Sequence, residues 1–236
     1  MTVDRFTAAM ETLVRGMRGA DLSRPFVDLF PVMGTAVSTV GDLLGSETIS
    51  ASDPQAARLD ELQFDLGVGP CWDALDTAEP VLEPDLRNRP RRVWPAFTEA
   101  VLLDGVRALF AFPMLVGPLR VGAVDMYADT PARLDDAATR RAAALAGAAG
   151  RNILQRALAS AGADYEEDTA NPFSRRVVHQ ATGMVLAQLG VSPEDARLIL
   201  QGQAFAAGRS MMEVAQDVLD RRMDFSMREG EIEGTA

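Results

Sequence analysis

Few residues of this 236-residue chain have the chemistry for catalysis. The chain has one cysteine, Cys71, and one histidine, His179, more than 100 positions apart. It has no Ser-His-Asp set, no phosphate-binding or dinucleotide-binding glycine motif, and no clustered metal ligands. A phosphoacceptor role for the histidine would need the glycine boxes of an ATP site, which are also missing. The sequence therefore predicts a protein that is not an enzyme and that has no metal site.

The two unusual side chains each have two interpretations. Cys71 is either a redox or ligand-binding thiol or a small buried residue at the start of a helix, where the helix N-terminus would lower its pKa. His179 is either an RNA stacking or phosphate contact or a solvated helix residue. The sequence leaves both pairs of alternatives open.

Three short helices are predicted after residue 174. Apolar residues spaced by three and four positions give the first helix one buried stripe. Ser192 and Pro193 have the residue types of a helix N-cap and first position, and Gly208 is typical of a helix end. Ser210 and Glu213 form a capping box for the third helix. The predicted buried residues are Val177, Ala181, Met184, Val185 and Leu189, then Leu198, Ile199 and Phe205, then Val214, Val218 and Leu219.

This region, from Ser174 to Phe225, resembles the ANTAR domain, an RNA-binding module of bacterial transcription antiterminators. The residues that match are Gln180-Ala181-x-Gly183-Met184, then Ser192-x-x-x-Ala196, then Arg209 with Val214-Ala215. Thr182 stands where the family often has lysine. The resemblance implies a three-helix bundle that binds paired RNA hairpin loops and prevents a terminator from forming.

The RNA contacts that the resemblance implies are Gln180, Ala181, Thr182, Gly183, Arg209 and Ser210. Ala181 and Gly183 are small enough for a base to approach the helix, and Gln180 has the groups to read a base edge. Arg209 and the N-terminus of the third helix suit a phosphate. The alternative for Ala181 and Gly183 is close packing between helices.

Composition is ordinary for a globular protein, with 47% hydrophobic and 24% charged residues, but the net charge is -11. An acidic balance opposes non-specific binding of nucleic acid, because phosphate affinity comes from basic side chains. Residues 171–236 contain seven Arg and nine Asp or Glu, so most of the excess acid precedes them. We find no secretory signal and no apolar run near the ~20 residues of a membrane helix, and we expect a cytoplasmic protein.

Residues 1–133 alternate helical and strand patterns, which predicts an α+β fold with an antiparallel sheet covered by helices. This part resembles a GAF domain of the type that precedes ANTAR domains in actinobacterial regulators. The resemblance extends to about Ala159 and implies a sensor. The residues that carry it are Gln63-Phe64-Asp65-Leu66-Gly67-Val68-Gly69-Pro70-Cys71-Trp72-Asp73-Ala74-Leu75, Trp94-Pro95-x-Phe97 and Val121-Gly122-Ala123-Val124-Asp125-Met126-Tyr127.

GAF folds commonly hold a small regulatory ligand between the sheet and its covering helices, so the resemblance leaves the cofactor unknown. Five aromatic residues of this part have two interpretations: they are the lining of such a pocket, or they are ordinary core. They are Phe64, Trp72, Trp94, Phe112 and Tyr127.

The sequence predicts a helical linker and hinge over residues 134–170. Its apolar stripe, from Leu134 to Ala157, either packs on the sheet or pairs with a second copy, and Leu154 and Leu158 supply a second apolar face. The ANTAR-like domain then covers residues 171–226, and residues 227–236 are predicted to be a disordered tail.

The leading hypothesis is a homodimeric transcription antitermination regulator in which a GAF sensor controls two ANTAR domains that bind tandem RNA hairpins. The alternative is a ligand-sensing or redox-sensing module that acts through protein contacts without binding RNA.

Overall fold

The computed structural model describes residues 2–15, 21–41, 44–89, 93–160, 174–228 and 231–235. The chain divides into two compact units, Met1–Phe173 and Ser174–Ala236. Each unit has its own apolar core. The predicted hinge at residues 162–171 lies outside the described residues.

The first unit is an antiparallel sheet covered by helices, as the sequence predicts. Its five strands have the order β2-β1-β5-β4-β3. The strands are β1 (Gly34–Thr39), β2 (Glu47–Ala51), β3 (Val81–Glu83), β4 (Ala108–Val116) and β5 (Leu119–Ala128). The helices are α1 (Thr2–Arg15), α2 (Arg24–Leu29), α3 (Pro54–Leu66), α4 (Pro70–Thr77), α5 (Pro95–Leu103) and α6 (Asp136–Ser160).

Strand β4 contains a proline, Pro113, although it lies inside the sheet. It pairs along its full length with β5, where Pro113 lies opposite Ala123. On its other side it pairs with β3 only from Leu109 to Ala111. Beyond Ala111 that side of β4 is therefore an edge of the sheet, where the missing N–H of proline removes no ladder hydrogen bond.

The long helix α6, which the sequence assigns to a linker, packs on this sheet. Ala142, Leu145 and Ala149 are fully buried in the core of the first unit. At Gly150 an added Cβ would lie 2.9 Å from the Cβ of Met114, so glycine lets the helix approach β4. Packing on the sheet, one of the two alternatives for the stripe, therefore accounts for most of α6.

The second unit is a bundle of three helices followed by a hairpin. The helices are α7 (Arg176–Leu189), α8 (Pro193–Ala207) and α9 (Met211–Leu219), and the hairpin strands are β6 (Asp224–Arg228) and β7 (Glu231–Thr235). Ser192 caps α8 through its hydroxyl, which accepts from the Asp195 N–H at 3.1 Å. Gly208 ends α8 in the left-handed conformation, with φ of 62°. These caps, predicted from the sequence, set the short turns between the helices.

The predicted buried face of α8 is wrong at two of its three residues. Phe205 is 68% exposed and Leu198 is 50% exposed, whereas the core contains Ala196, Leu200 and Ala204. The helix has apolar residues on both sides, and only one side can face the bundle. The side with two alanines faces inward because small side chains let neighbouring helices approach closely.

The sequence predicts a disordered tail over residues 227–236, but within this range the structure has the end of β6 and all of β7, which pair as antiparallel strands. Met223 and Phe225 are buried in the core of the second unit. Gln188 of α7 donates to an Asp224 carboxylate oxygen at 2.9 Å and accepts from the Phe225 N–H at 3.1 Å. Strand β6 is thus held against α7 by the buried Phe225 ring and by the two hydrogen bonds of Gln188. Strand β7 pairs with β6.

None of the helices that the structure describes combines the length and the apolar character needed to cross a membrane. The His, Cys, Asp and Glu side chains of the described residues form no group of three or more that could hold a metal ion.

The two phenylalanines of the second unit give a matched test of this packing. We expect Phe225→Ala to lower the free energy of unfolding of that unit by about 3 kcal/mol, because it leaves a cavity in the core. Phe205→Ala should change it by less than about 0.5 kcal/mol, because its ring lies in solvent. Urea unfolding of the full chain, followed by circular dichroism, measures both values. Equal effects of the two substitutions would contradict the packing of the hairpin.

Candidate nucleic-acid interface

Helix α7 has one face in the core and one face in solvent. Val178, Ala181 and Val185 are buried against α8 and α9. The opposite face is exposed and consists of Arg176, His179, Gln180, Gly183 and Ala187. The 3.6-residue period therefore presents one basic, one imidazole and one amide side chain around an exposed glycine.

The structure separates the four adjacent residues that the sequence predicts to contact RNA. Gln180 and Gly183 are exposed. Ala181 is 0% exposed, so it packs between helices and we withdraw it as an RNA contact. The Thr182 hydroxyl donates to the Val178 carbonyl at 2.8 Å, which satisfies it within the helix. Two of the four residues thus remain available on the outer face.

Gly183 has no packing role. A Cβ added at this position would have no heavy atom within 4 Å. Glycine within a helix costs about 1 kcal/mol relative to alanine, so the position lowers helix stability without any gain in packing. The close-packing alternative therefore holds for Ala181 and fails for Gly183.

The other two predicted contacts lie at the turn between α8 and α9. Ser210 caps α9: its hydroxyl accepts from the Glu213 N–H at 3.2 Å, and Glu213 accepts from the Ser210 N–H at 2.9 Å. Arg209 forms an ion pair with Asp217 at 2.7 Å. Arg222 bonds to the same carboxylate at 2.8 Å. Arg209 therefore fastens the turn to α9, a role that sequence spacing did not reveal.

Charge is unevenly distributed among the helices. Residues 174–193, which include all of α7, contain no Asp or Glu. The acids of the bundle lie at the start of α8 (Glu194 and Asp195) and from Glu213 onward. The acidic balance of the chain therefore does not extend to the outer face of α7, and this face suits a polyanion.

In the first unit, the residues of the GAF-like motif form a buried polar network. The Gln63 amide donates to Asp125 at 3.1 Å and accepts from the Cys71 N–H at 2.8 Å. The main-chain carbonyl of Gln63 accepts a hydrogen bond from the Trp72 indole N–H at 3.1 Å. Gly69, with φ of 151°, leaves room for Gln63, because an added Cβ would lie 2.5 Å from its Oε1. The motif thus fastens α3 to α4 and to β5.

Most of the aromatic residues considered as a pocket lining are core. Phe64, Trp94 and Phe112 are buried. Trp72 and Tyr127 are partly buried, and the Tyr127 hydroxyl donates to Asp53, the N-cap of α3, at 2.9 Å. Burial favours the core interpretation for Phe64, Trp94 and Phe112, while Trp72 and Tyr127 border that core.

Cys71 is 0% exposed. Burial raises the pKa of its thiol well above the usual value, and the nearby carboxyl groups of Asp125 and Asp60 raise it further. Burial likewise raises the pKa of the Asp125 carboxyl. A thiol kept protonated and away from solvent is a poor redox sensor. The environment of Cys71 therefore favours the structural interpretation over the reactive one.

Thiol labelling tests this conclusion. We expect the native chain to react with a maleimide at least about 100-fold more slowly than the urea-unfolded chain, because both burial and the raised pKa suppress the thiolate. Leu103→Cys, which places a second thiol at an exposed position, is the positive control. Equally fast labelling of Cys71 in native and unfolded protein would reopen the redox interpretation.

Asp217 gives a test of the turn. Hydrogen bonds from Arg209 and then Arg222 lower the pKa of its carboxyl. A lowered folded-state pKa adds stability above the unfolded-state value and loses it as pH falls through the folded-state value. We expect Asp217→Asn to unfold more readily than the parent at pH 7 and to differ less from it near pH 2. Thermal melts between pH 2 and pH 7 measure the difference, and a constant difference would contradict the role given to this ion pair.

Both units have counterparts among known proteins. The family model of the ANTAR domain matches residues 172–219. No curated protein matches the chain. The first unit is similar to the GAF domain of a phosphoenolpyruvate-protein phosphotransferase from Coxiella burnetii, with 12% identity, a TM-score of 0.51, and coverage of 66% of this chain and 97% of that one. A GAF domain from an Acinetobacter phosphoenolpyruvate-protein phosphotransferase gives 9% identity, a TM-score of 0.47, and coverage of 68% and 97%.

The Coxiella burnetii domain shows the fold of the first unit, and the family model identifies the second. An ANTAR domain implies RNA-binding regulation of transcription antitermination. The chain therefore combines a unit with the GAF fold and, at residues 172–219, an ANTAR domain.

Proposed function

We propose that the protein is a transcription antitermination regulator in which the GAF-fold unit senses a signal and the ANTAR domain binds tandem RNA hairpins. Two copies act together, one for each hairpin. The ANTAR match supports RNA as the partner, and the geometry of α7 supports this helix as the binding surface.

One combination of observations carries the choice of surface: Gly183 is an exposed helical glycine with open space around it, and its helix, α7, contains no Asp or Glu. Nothing within the bundle requires glycine there. A base or ribose that lies against the helix backbone does require it, because any side chain would hold the ligand away. The cost in helix stability is then explained by binding.

The neighbours of Gly183 supply the remaining groups. Gln180 precedes it by three positions and Arg176 by seven, so both share its face. We assign Gln180 to a base edge, since an amide both donates and accepts hydrogen bonds. Arg176 contacts a phosphate, which positions the RNA without reading its sequence. His179, on the same exposed face, stacks on an unpaired base.

Arg209 and Ser210 have a supporting role in this proposal. Ser210 uses its hydroxyl as the cap of α9, and Arg209 is bonded to Asp217. Both residues therefore fix the α8–α9 turn. Arg209 contacts a phosphate only while it remains bonded to Asp217. Thr182, in the position where the family often has lysine, contributes no charge.

Control by the first unit acts through α6, which packs on the sheet and ends at Ser160. Leu158, near that end, is 67% exposed, while Leu154 is half-buried. We propose that this apolar end pairs with its copy in the homodimer. The redox form of the alternative hypothesis loses support from the burial of Cys71.

Gly183→Leu separates binding from stability. Leucine favours the helix over glycine by about 0.5–1 kcal/mol, so the variant should be more stable than the parent. It should also bind RNA at least about tenfold more weakly, because the side chain blocks the approach to the backbone. The probe is a single hairpin RNA enriched from a randomised-loop library on the parent protein, measured by electrophoretic shift alongside thermal melts.

Gly202→Leu is the matched control, since Gly202 is also a helical glycine with open space around it, on α8. It should gain similar stability and keep parental affinity for the single hairpin. The assignment of α7 fails if both variants bind like the parent, or if both lose affinity equally.

Gln180→Ala and Arg176→Ala test the two polar roles. Loss of a base-edge contact should weaken binding about tenfold to a hundredfold and reduce discrimination between loop sequences. Loss of a phosphate contact should weaken binding to all hairpins alike and reduce the slope of log affinity against log salt by about 1. Gln216→Ala, an exposed glutamine on the acidic helix α9, is the control and should have no effect.

A further inference from the structure

The outer face of α8 carries an apolar strip of three residues, Leu198, Gly202 and Phe205. It lies opposite the buried residues Ala196 and Leu200. Leu198 and Phe205 are among the most exposed large apolar side chains of the described residues. Gly202 lies between them, and a Cβ added there would meet no atom within 4 Å. The strip therefore consists of two apolar side chains, Leu198 and Phe205, with a notch between them where Gly202 leaves the helix backbone uncovered.

We propose that this strip is a contact between two copies of the chain, in which the α8 helices pack antiparallel about a twofold axis near Gln201 and Gly202. In this register Leu198 of each copy meets Phe205 of the other, so the same residues serve both sides, as twofold symmetry requires. The glycines lie near the axis and let the two backbones approach closely.

The charges at the two ends of the strip agree with this register. Glu194 is one turn before Leu198, and Arg209 follows Phe205 by four residues. The pairing that matches Leu198 with Phe205 also brings the Glu194 end of one helix to the Arg209 end of the other. Arg209 already pairs with Asp217 of its own chain at 2.7 Å but stays partly exposed, so Glu194 of the second copy would share this guanidinium rather than meet a free cation. A parallel arrangement would place like charges together.

The same features favour a second copy over RNA as the partner of this strip. Leu198 and Gly202 offer no hydrogen bonds to a base. Glu194 and Asp195 are both exposed at the N-terminal end of α8, where they repel phosphate. The basic, acid-free surface suited to RNA is on α7, so α8 and α7 present different chemistry.

One helix face buries less than the ~800 Å² per partner that is typical of a stable interface. The contact is therefore weak alone and is strengthened when another contact tethers the two copies. It deepens the homodimer of the proposed function and rests on it. Its crosslinking test is carried out without RNA, and RNA is added only in a separate competition experiment, so that failure of RNA binding and failure of this contact are distinguished.

Cysteine crosslinking of the full chain tests the contact and its register. Leu198→Cys and Phe205→Cys are prepared as separate variants and mixed under mild oxidation, with buried Cys71 as the shared background thiol. The antiparallel register predicts that crosslinks between the two variants exceed self-crosslinks of either by at least tenfold. In the self-pairs the two thiols would lie about 10 Å apart along the axis, seven residues at 1.5 Å each. Leu103→Cys, an exposed position on the first unit, gives the rate of random collision.

Gly202→Gln, added to both variants, fills the notch. We expect it to reduce the mixed crosslink at least tenfold while the thermal stability of the second unit is maintained or raised, since glutamine favours a helix over glycine. A loss of crosslinking caused by misfolding would instead lower that stability.

The remaining outcomes overturn the proposal. These are a mixed crosslink no faster than the Leu103→Cys control, self-crosslinks that equal the mixed one, or no effect of Gly202→Gln. Protection of the thiols at positions 198 and 205 by the selected hairpin RNA, without a mixed crosslink, would assign the strip to RNA.

Discussion

The burial of one face of α7 is the constraint on which the second unit depends. Val178, Ala181 and Val185 supply the first helix of the bundle with its contacts to the other two. Once these three residues face inward, the helical period fixes the direction in which every other side chain of α7 points. Gln180 and Gly183 face outward because they lie away from the buried side, and a shift of one residue would rotate the helix by about 100° and could move Gln180 into the buried place of Ala181.

That constraint matters for an acidic chain that carries an ANTAR domain. A chain with net charge -11 repels a polyanion unless the charges are separated in space. Here α7 has no acids, and a carboxylate of α9, Asp217, is bonded to two arginines, Arg209 and Arg222. The two arginines reduce the negative electrostatic field of Asp217 at the surface. Asp217 in turn holds the α8–α9 turn through its bond to Arg209. The net charge of the chain therefore overstates the repulsion of RNA near α7, because Asp217 is neutralised locally by its ion pairs with Arg209 and Arg222.

Local signals predicted the helix caps well, because each cap depends on residues close in the sequence. The Ser192 and Ser210 caps and the Gly208 helix end are examples. The face of α8 was wrong because leucine and phenylalanine outweigh alanine in a hydrophobic pattern, while close helix packing selects the alanines. The ion pair of Arg209 and the hairpin beyond α9 depend on partners in other elements. Spacing along the chain carries no information about them.

Two glycines show how the same residue type serves different partners. Gly183 and Gly202 are both within helices, both exposed, and both without a packing role inside the bundle. Glycine only opens the backbone, so the surrounding side chains decide what approaches. Around Gly183 they are basic and polar, which suits a nucleotide, and around Gly202 they are apolar with an acidic end, which suits another helix. Because the two glycines lie on the outer faces of different helices, binding at one does not require the other, and one small bundle has room for both an RNA loop and a second copy.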